Sequence, residues 1–395
     1  MPRWSSGHPR PSRTPRRRSW FPYLLGGLGL VVGLGGAVVW LTGSEIGSQS
    51  VEPSRPAAST GPASQVTTTT APARATTTTT TRDPLLGNGQ QVKLAFAGDT
   101  NFEGAIAQRL AADPVSVFGT SAPVLAGADL AVVNMETAIG VGGSPAPKEY
   151  TFQAPPEALE AFRAAGVDVV SAANNHGMDF GLPSLVETLG AEQASGFPVI
   201  GIGRDENEAY SPHVAEVKGQ RIAVIAATQV LDASLLDLWT AGPGKPGLAS
   251  AKRVDRLVAE VQAARGMADT VVVFLHWGIE GQTCPSSTQQ ELAQQLVAAG
   301  ADVIVGGHAH RVQGGGRLDN AVVHYGLGNF AFYSASGEGA RTGVFEVTVT
   351  GRRVDGYKWV PARIVDRQPQ MLAGTEAQAA SDHWESLRGC TGLTP

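Results

Sequence analysis

Two histidines, His308 and His310, stand one residue apart at the end of the segment IVGGHAH, residues 304–310. The aliphatic residues before them are typical of a buried strand, and the two glycines let the backbone turn sharply and approach other groups closely. At this spacing, both imidazoles can face one site where the strand ends. Imidazole is a common ligand of transition metals, so the segment indicates metal chemistry.

Similar polar side chains end four other predicted strands. In chain order these residues are Asp99, Asn134, Glu136, Asn174, Asn175, His176 and His276. Ligands of open α/β sheets bind outside the carboxyl ends of the strands, so we expect these groups to converge there. They are more numerous than one tetrahedral zinc requires. The pattern therefore predicts one or two divalent ions (Mn, Zn or Fe) that activate a water for attack on a phosphoryl or similar centre.

Each of these residues also has a simpler explanation. Asp99 could cap the helix that follows it, and Asn174 and Asn175 could be turn residues. A single histidine after a strand is commonly a hydrogen-bonded structural residue. The joint occurrence of these residues at strand ends favours the metal site.

The elements that must position these residues alternate in type along the chain. The runs typical of buried strands are 92–98, 128–136, 167–175, 197–203, 221–228, 269–278 and 301–310. Amphipathic helical patterns lie between many of them, at 155–165, 182–194, 252–265 and 288–299. This alternation predicts an α/β fold. We expect antiparallel additions at 321–330, 342–351 and 356–365, and a short terminal helix at 382–390.

The N-terminal part differs in composition from the rest. Residues 1–19 are basic and should be cytoplasmic, and the uncharged residues 20–43 are long enough to form a transmembrane anchor, which leaves the remainder extracytoplasmic. A cleaved signal peptide is the alternative. Residues 44–90, rich in Thr, Pro and Ser, predict a disordered linker before a domain at 91–367 and a tail at 368–395. The rest of the chain is acidic and offers no basic surface for nucleic acid, so no nucleic-acid partner is expected.

The chain contains two cysteines, Cys284 and Cys390. Both fall in the part expected outside the cytoplasm, where disulfides form and persist. We therefore predict a bridge that ties the C-terminal tail to the domain. The alternative is a pair of free thiols.

Seven motifs in order resemble the CapA family of poly-γ-glutamate capsule biosynthesis proteins, which is related to calcineurin-like metallophosphoesterases. They are FAGDTNF (96–102), VVNMETAI (132–139), YTFQAPPE (150–157), SAANNHGMDFG (171–181), LHWGIE (275–280), IVGGHAHRVQG (304–314) and YGLGNFAF (325–332). The resemblance implies a metallo-dependent phosphatase-like αββα sandwich, usually anchored to the membrane. It also implies a role in making, exporting or releasing the anionic polymer poly-γ-glutamate at the cell surface.

The resemblance also implies a role for individual residues. The implied metal ligands are Asp99, Glu136, Asn175, His276, His308 and His310, and His176 matches the general acid. Two positions depart from the phosphoesterase pattern: Asn101 replaces a histidine of the first motif, and Glu136 replaces the bridging aspartate. Both departures bear on how many metals the site takes.

Several neighbours are candidates for supporting the ligands or binding substrate. Asp179 could accept a hydrogen bond from His176 and fix its tautomer, or it could cap the following helix. Glu280 could orient an imidazole or contact substrate, and Asn329 is either a turn residue or a site amide. The remaining supporting candidates are Asn101, Asn134 and Asn174.

Three functions are consistent with these features. The first is a membrane-anchored CapA-like factor of capsule biosynthesis or export with metal-dependent hydrolase or transferase chemistry. The second is an extracytoplasmic metallophosphoesterase with another substrate range. The third is a non-catalytic scaffold that joins the membrane components of a capsule synthase.

Overall fold

The computed structural model of the chain describes residues 83–395. The predicted basic tail, the membrane anchor and most of the predicted linker therefore lie outside the described residues. No helix within 83–395 is both long enough and apolar enough to cross a bilayer. The end of the predicted linker is ordered rather than disordered, because Asp83 and Gly87 exchange two backbone hydrogen bonds and the side chain of Asn88 donates to the carbonyl of Lys218.

The described chain contains seventeen strands. They are β1 (Val92–Thr100), β2 (Leu130–Met135), β3 (Ala138–Ile139), β4 (Gln153–Ala154), β5 (Val169–Ser171), β6 (Val199–Ile200), β7 (Ile202–Gly203), β8 (His213–Val217), β9 (Gln220–Thr228), β10 (Gly247–Leu248), β11 (Thr270–Trp277), β12 (Val303–His308), β13 (Gly315–Leu318), β14 (Ala321–His324), β15 (Arg341–Thr350), β16 (Arg353–Val365) and β17 (Gln368–Met371).

The α-helices of the same residues number nine. They are α1 (Ala105–Ala112), α2 (Ala122–Ala126), α3 (Glu157–Ala164), α4 (Gly181–Ser195), α5 (Glu206–Tyr210), α6 (Leu236–Trp239), α7 (Val254–Met267), α8 (Ser287–Ala299) and α9 (Gly374–Leu387). Short 3-10 helices occupy Pro114–Ser121, Gly337–Ala340 and Arg388–Cys390.

Two large sheets carry most of these strands. One has the order β17-β16-β15-β1-β2-β5-β6 and the other β13-β14-β12-β11-β9-β8. The strands β1, β2, β5 and β6 of the first sheet and β14, β12, β11 and β9 of the second are parallel to one another. Antiparallel strands extend the first sheet beyond β1 and the second sheet at both edges. In the second sheet the register places His276 beside Gly307 and Trp277 beside His308. Two metal-type histidines thus reach the same edge on adjacent strands.

Three buried clusters show how the sheets are layered. Leu94 and Phe96 of β1 share a cluster with Val224 of β9, Phe274 of β11 and Val305 of β12, so the two sheets pack face to face. The alternate side chains of the same strands pack in two further clusters, against α3 and α4 on one side and against α7 and α8 on the other. Because both faces of each inner strand are covered, these strands read as continuous aliphatic runs. The prediction of an α/β fold is confirmed.

Some predicted elements differ from the structure. Only residues 321–324 of the predicted strand 321–330 form a strand, which pairs antiparallel with β13 on one side and parallel with β12 on the other. The terminal helix is not the short helix expected at 382–390, because α9 begins at Gly374. Its apolar pattern is weak, since Trp384 is its one buried residue. The four predicted internal helices all occur, as α3, α4, α7 and α8.

A disulfide joins Cys284 to Cys390 and so ties the loop after β11 to the C-terminal tail. The two cysteines are separated by 106 residues in the chain. Cross-linking such a long segment restricts the unfolded chain strongly, which stabilises the folded state relative to it. This disulfide is the one predicted from the sequence.

We expect the double variant Cys284→Ser/Cys390→Ser to lower the free energy of unfolding by roughly 2–5 kcal/mol, since its unfolded state is less restricted. Urea denaturation of the oxidised wild type and the variant measures this difference. Reduction of the wild type should reproduce the loss. Equal unfolding midpoints for all three samples would contradict the prediction.

Candidate metal centre

The carboxyl edges of the two sheets meet at Asp99 and Glu136, the first of which lies near the end of β1 and the second just after β2. Both side chains are fully buried. Asp99 is firmly held: its Oδ1 accepts from Asn134 Nδ2 at 2.8 Å and its Oδ2 accepts from the backbone N–H of His308 at 3.0 Å. The second contact connects the first sheet to the second. Asp99 thus has a fixed orientation at the junction of the two sheets.

Glu136 is surrounded very differently. Neither of its carboxylate oxygens has a hydrogen-bond partner, although both are inaccessible to solvent. The Nε2 atoms of His176, His276 and His310 lie 3.7–3.8 Å from Glu136 Oε1. These separations are too long for hydrogen bonds. A buried carboxylate ringed by imidazoles but bonded to none of them is the arrangement expected around a cation.

The loop after β12 places His308 and His310 in unusual backbone conformations. Their φ angles are 87° and 51°, in the left-handed region that non-glycine residues rarely adopt. Such conformations persist where the surrounding structure holds them, and they concentrate at functional sites. His308 Nδ1 is buried and has no hydrogen-bond partner. The backbone at His308 and His310 therefore adopts a conformation of higher free energy that directs both imidazoles into the site. The Nδ1 atom of His308 is left without a hydrogen-bond partner there.

Gly307 makes room for this arrangement. A Cβ atom at this position would lie 2.2 Å from Asp99 Oδ1, far inside van der Waals contact. The close approach lets the backbone N–H of the next residue, His308, reach the Asp99 carboxylate. Glycine is therefore required here by the proximity of a side chain from the other sheet.

Amide side chains orient the ligands from behind. Asn174 Nδ2 donates to Asn134 Oδ1 at 3.1 Å, and Asn134 Nδ2 lies 3.2 Å from His276 Nδ1. Asn175 Oδ1 lies 2.7 Å from His276 Nε2, and Asn329 Oδ1 lies 2.8 Å from His310 Nδ1. Hydrogen bonds of this kind fix the tautomer and the ring orientation of a metal-binding histidine. The four asparagines thus lie beside the imidazoles and carboxylates rather than in solvent-facing turns.

His176 forms a pair with Asp179. The distance from its Nδ1 to Asp179 Oδ2 is 2.5 Å, and its ring stacks on Phe152 with centroids 4.1 Å apart. Asp179 does not cap α4, whose N-terminus has no side-chain cap. Of the two interpretations considered for Asp179, the structure thus matches the one in which it orients an imidazole.

Burial and mutual charges shift the proton affinities of the site. Burial, followed by the charge of Asp99, raises the pKa of the Glu136 carboxyl well above its usual range. Burial lowers the pKa of His276 well below its usual value and that of His308 to about 4. For His310, burial opposes the charged form, but Glu136 and Asp99 outweigh it and raise its pKa to about 10. The raised pKa values of Glu136 and His310 both favour protonation of this pair at neutral pH.

Two sets of side chains could hold metal ions, and they share a carboxylate. The first consists of Glu136, His308 and His310, and the second of Asp99, Glu136 and His276; within each, the ligand atoms lie within 4.8 Å of one another. The unpartnered atoms of Glu136 and His308 fit such ions well, because a cation would satisfy them. A mixed set of imidazole and carboxylate donors suits Zn, Fe or Mn.

Two of the predicted site residues lie less centrally. Glu280 is exposed and, within residues 83–395, makes no hydrogen bond to an imidazole, although its charge raises the pKa of His310. Asn101 is fully buried, but its Nδ2 has no partner and its Oδ1 accepts only a long bond from the N–H of Glu103. Sequence reasoning missed Phe152, and it did not identify Asp99 as the group that Gly307 approaches, because both depend on contacts between distant segments.

The fold and site define an α/β sandwich protein with a candidate divalent-metal centre at the joint edge of its two sheets. A sequence profile of the bacterial capsule synthesis protein family PGA_cap matches residues 93–334. This span is more than half of the chain, and the chain belongs to that family.

Two curated relatives carry names from capsule biology. The capsule biosynthesis protein CapA of Bacillus anthracis is 33% identical over 47% of this chain and 45% of its own length. The PGA biosynthesis protein CapA of Bacillus subtilis is 30% identical over 55% of this chain and 57% of its own length. The chain thus spans about half the length of the curated relatives it matches.

Solved structures with similar folds include a hypothetical protein from Thermus thermophilus, at 20% identity and a TM-score of 0.44, over 69% of this chain and 99% of that one. A 5'-nucleotidase from Candida albicans has 10% identity and a TM-score of 0.41, over 75% of this chain and 58% of that one.

Replacing Gly307 should weaken metal binding. In Gly307→Ala the new methyl group displaces Asp99, and we expect the affinity for Mn²⁺ to fall at least about tenfold. Gly266→Ala in α7 is the matched control, because its Cβ would meet no atom within 4 Å. Isothermal titration calorimetry of both variants measures the affinities. Wild-type affinity in Gly307→Ala would contradict this account of the site.

Metal binding should release protons. At about pH 7.5 the raised pKa of His310 keeps its imidazole charged, whereas a bound ion needs it neutral, so at least about one proton must leave. His308 is already neutral and should contribute none. The affinity should accordingly rise with pH until the pKa of about 10 is reached. Calorimetry in buffers of different ionisation enthalpy counts the protons, and a count of zero would refute the assignment.

Proposed function

We propose that this protein is a membrane-anchored factor that makes, exports or releases poly-γ-glutamate, or a related anionic polymer, at the cell surface. In this proposal it acts through metal-dependent hydrolysis or transfer on a metallophosphatase-like αββα sandwich. Membership of the capsule synthesis family and the names of its relatives support the polymer. The apolar segment at residues 20–43 supports the anchor and an extracytoplasmic position.

The observation that carries the chemical part of the proposal is the state of Glu136. Its two buried oxygens lack hydrogen-bond partners, and it belongs to both candidate ligand sets. A carboxylate kept for structural reasons alone would be hydrogen-bonded when buried this deeply. The shared carboxylate favours a site for two ions, both of which Glu136 would help to hold.

The residues that would hold the ions are Asp99, Glu136, Asn175, His276, His308 and His310. When bound, divalent ions would polarise the scissile group and lower the pKa of a water at the site. His176 would move a proton at its Nε2 atom, because its Nδ1 is engaged by Asp179. Phe152 covers one face of the His176 ring and shields it from solvent. Burial lowers the pKa of His176, so it is neutral at rest and can accept a proton before donating it.

The proposed partners follow from the same features. The anchor would hold the domain at the membrane, the polymer would be the substrate, and membrane components of a capsule synthase would deliver it. Glu280 and Asn101 remain candidates for substrate contact at the edge of the site. No nucleic-acid partner is proposed.

His176→Ala should separate binding from chemistry. We expect it to retain its metal content but to lose about 10²–10⁴-fold in turnover, because proton transfer is removed while the ligands remain. His213→Ala, a change at the start of β8, is the control and should keep full activity. The assay compares cleavage of γ-glutamyl polymer with that of nitrophenyl phosphate esters, with metal content determined by mass spectrometry.

The outcomes separate the candidate functions. Cleavage of the polymer alone supports the proposal, whereas turnover of phosphate esters alone favours an extracytoplasmic phosphoesterase. Full capsule output in cells that carry only His176→Ala would contradict catalysis and favour a scaffold.

A further inference from the structure

Lys148 lies in an irregular segment, residues 140–152, which connects β3 to β4. Its side chain is only 10% exposed. A lysine is almost never buried unless its ammonium group is paired, because desolvating an unpaired charge is costly. As a cation of the site, Lys148 could be taken for a group that holds an anionic substrate. Its contacts point to another role.

The ammonium group of Lys148 makes two hydrogen bonds to protein acceptors. Its Nζ donates to the backbone carbonyl of Asn175 at 2.5 Å and to Asp179 Oδ1 at 2.8 Å, and it lies 3.4 Å from His176 Nδ1. Two of its three N–H donors are used in these hydrogen bonds. His176 Nδ1 carries the hydrogen that it donates to Asp179, so its 3.4 Å contact with Lys148 is a close approach and not a hydrogen bond. The ammonium group also lies 5.6 Å from the centroid of the Trp239 ring. Little of the charge is left for a ligand in solution.

The carboxylate of Asp179 depends on this lysine. One of its oxygens faces His176 Nδ1 and the backbone N–H of Phe152, the latter at 2.7 Å. The other oxygen has Lys148 as its side-chain partner. Asp179 is itself fully buried. Without Lys148, one oxygen of a buried carboxylate would lose its charged donor, and the carboxylate could rotate away from His176.

The segment that carries Lys148 is fastened at both ends. The backbone N–H groups of Val141 and Gly142 donate to Glu187 of α4, and the N–H of Ala146 donates to the carbonyl of Asp179. These bonds fix the position of the Lys148 backbone relative to the site. The side chain can therefore serve as a rigid link.

We propose that Lys148 is a positioning residue that holds the backbone of Asn175 and, through Asp179, the imidazole of His176 in the geometry that the site needs. The inference deepens the proposed function and rests on it for the roles of Asn175 and His176. Lys148 would act on these two residues from outside the metal centre, and it would not touch the substrate.

Replacing Lys148 would affect metal binding in opposite directions, depending on whether its positive charge or its positioning of Asn175 and His176 matters more. This difference makes the inference testable. A lysine near a metal ion repels it, so removing the charge alone should strengthen binding. Removing a positioning residue should weaken it, typically by about 10- to 100-fold. We expect Lys148→Met to bind Mn²⁺ that much more weakly than the wild type, and Lys148→Arg, which keeps the charge but not the shape, to show a smaller loss.

Calorimetry with Mn²⁺ on the full chain measures these affinities, and Lys252→Met, a change at an exposed lysine, is the control. Unchanged or tighter binding by Lys148→Met would overturn the proposal. Should that variant fail to fold, Lys148→Arg decides the question, because a pure charge effect predicts no loss for it.

A second readout does not need the metal. In the metal-free protein, the His176 Nδ1–H bonded to Asp179 should give a slowly exchanging proton signal in nitrogen-correlated NMR spectra, assigned by its loss in His176→Gln. We expect Lys148→Met to lose this signal and Lys252→Met to keep it. Persistence of the signal in Lys148→Met would contradict the positioning role. If the signal disappears as expected but the wild type turns over no substrate, the proposed function fails while the role of Lys148 stands.

Discussion

A buried carboxylate with no hydrogen-bond partner is the constraint on which the rest of this structure depends. Glu136 is fully inaccessible, and three imidazole Nε2 atoms surround it at distances too long for hydrogen bonds. Desolvating a carboxylate in this way is costly unless a positive charge compensates for it. In the metal-free protein the proton of His310 supplies part of that compensation, and a divalent ion would supply more.

The fold brings the compensating groups together from widely separated parts of the chain. Parallel strands of both sheets end at one edge, and hydrogen bonds across that edge, such as the one from the His308 N–H to Asp99, join the two sheets. This arrangement requires an unfavourable backbone conformation at His308 and His310, which both have left-handed φ angles. The packing of the sandwich holds the site, because Asp99, His276 and His308 lie at the ends of buried strands.

Much of this arrangement could be predicted from the sequence. Buried strands read as aliphatic runs, and the polar residues that end them, such as Asp99 and His276, could be placed at one edge because parallel strands share their direction. The seven motifs, in their order along the chain, also indicated the resemblance to the CapA family. The four internal amphipathic helices were also evident, since each has an apolar face to bury.

Other features could not be predicted because they depend on contacts that no local pattern records. The start of α9 was missed because the helix buries only Trp384. The parallel pairing of β14 with β12 was not predicted either, because strand pairing is decided by the partner strand. The hydrogen bonds of Lys148 to Asn175 and Asp179 could not be predicted, because they depend on how residues 140–152 pack against distant parts of the chain. Likewise, nothing near Gly307 in the sequence points to Asp99.

The most direct test of the central claim is a crystal structure of the protein soaked with Mn²⁺, with anomalous scattering used to locate the ions. We predict anomalous peaks on either side of Glu136, within about 2.0–2.2 Å of its carboxylate oxygens and of the facing imidazole nitrogens. Manganese peaks only elsewhere, with both oxygens of Glu136 still unpartnered or bonded to protein donors, would contradict the account.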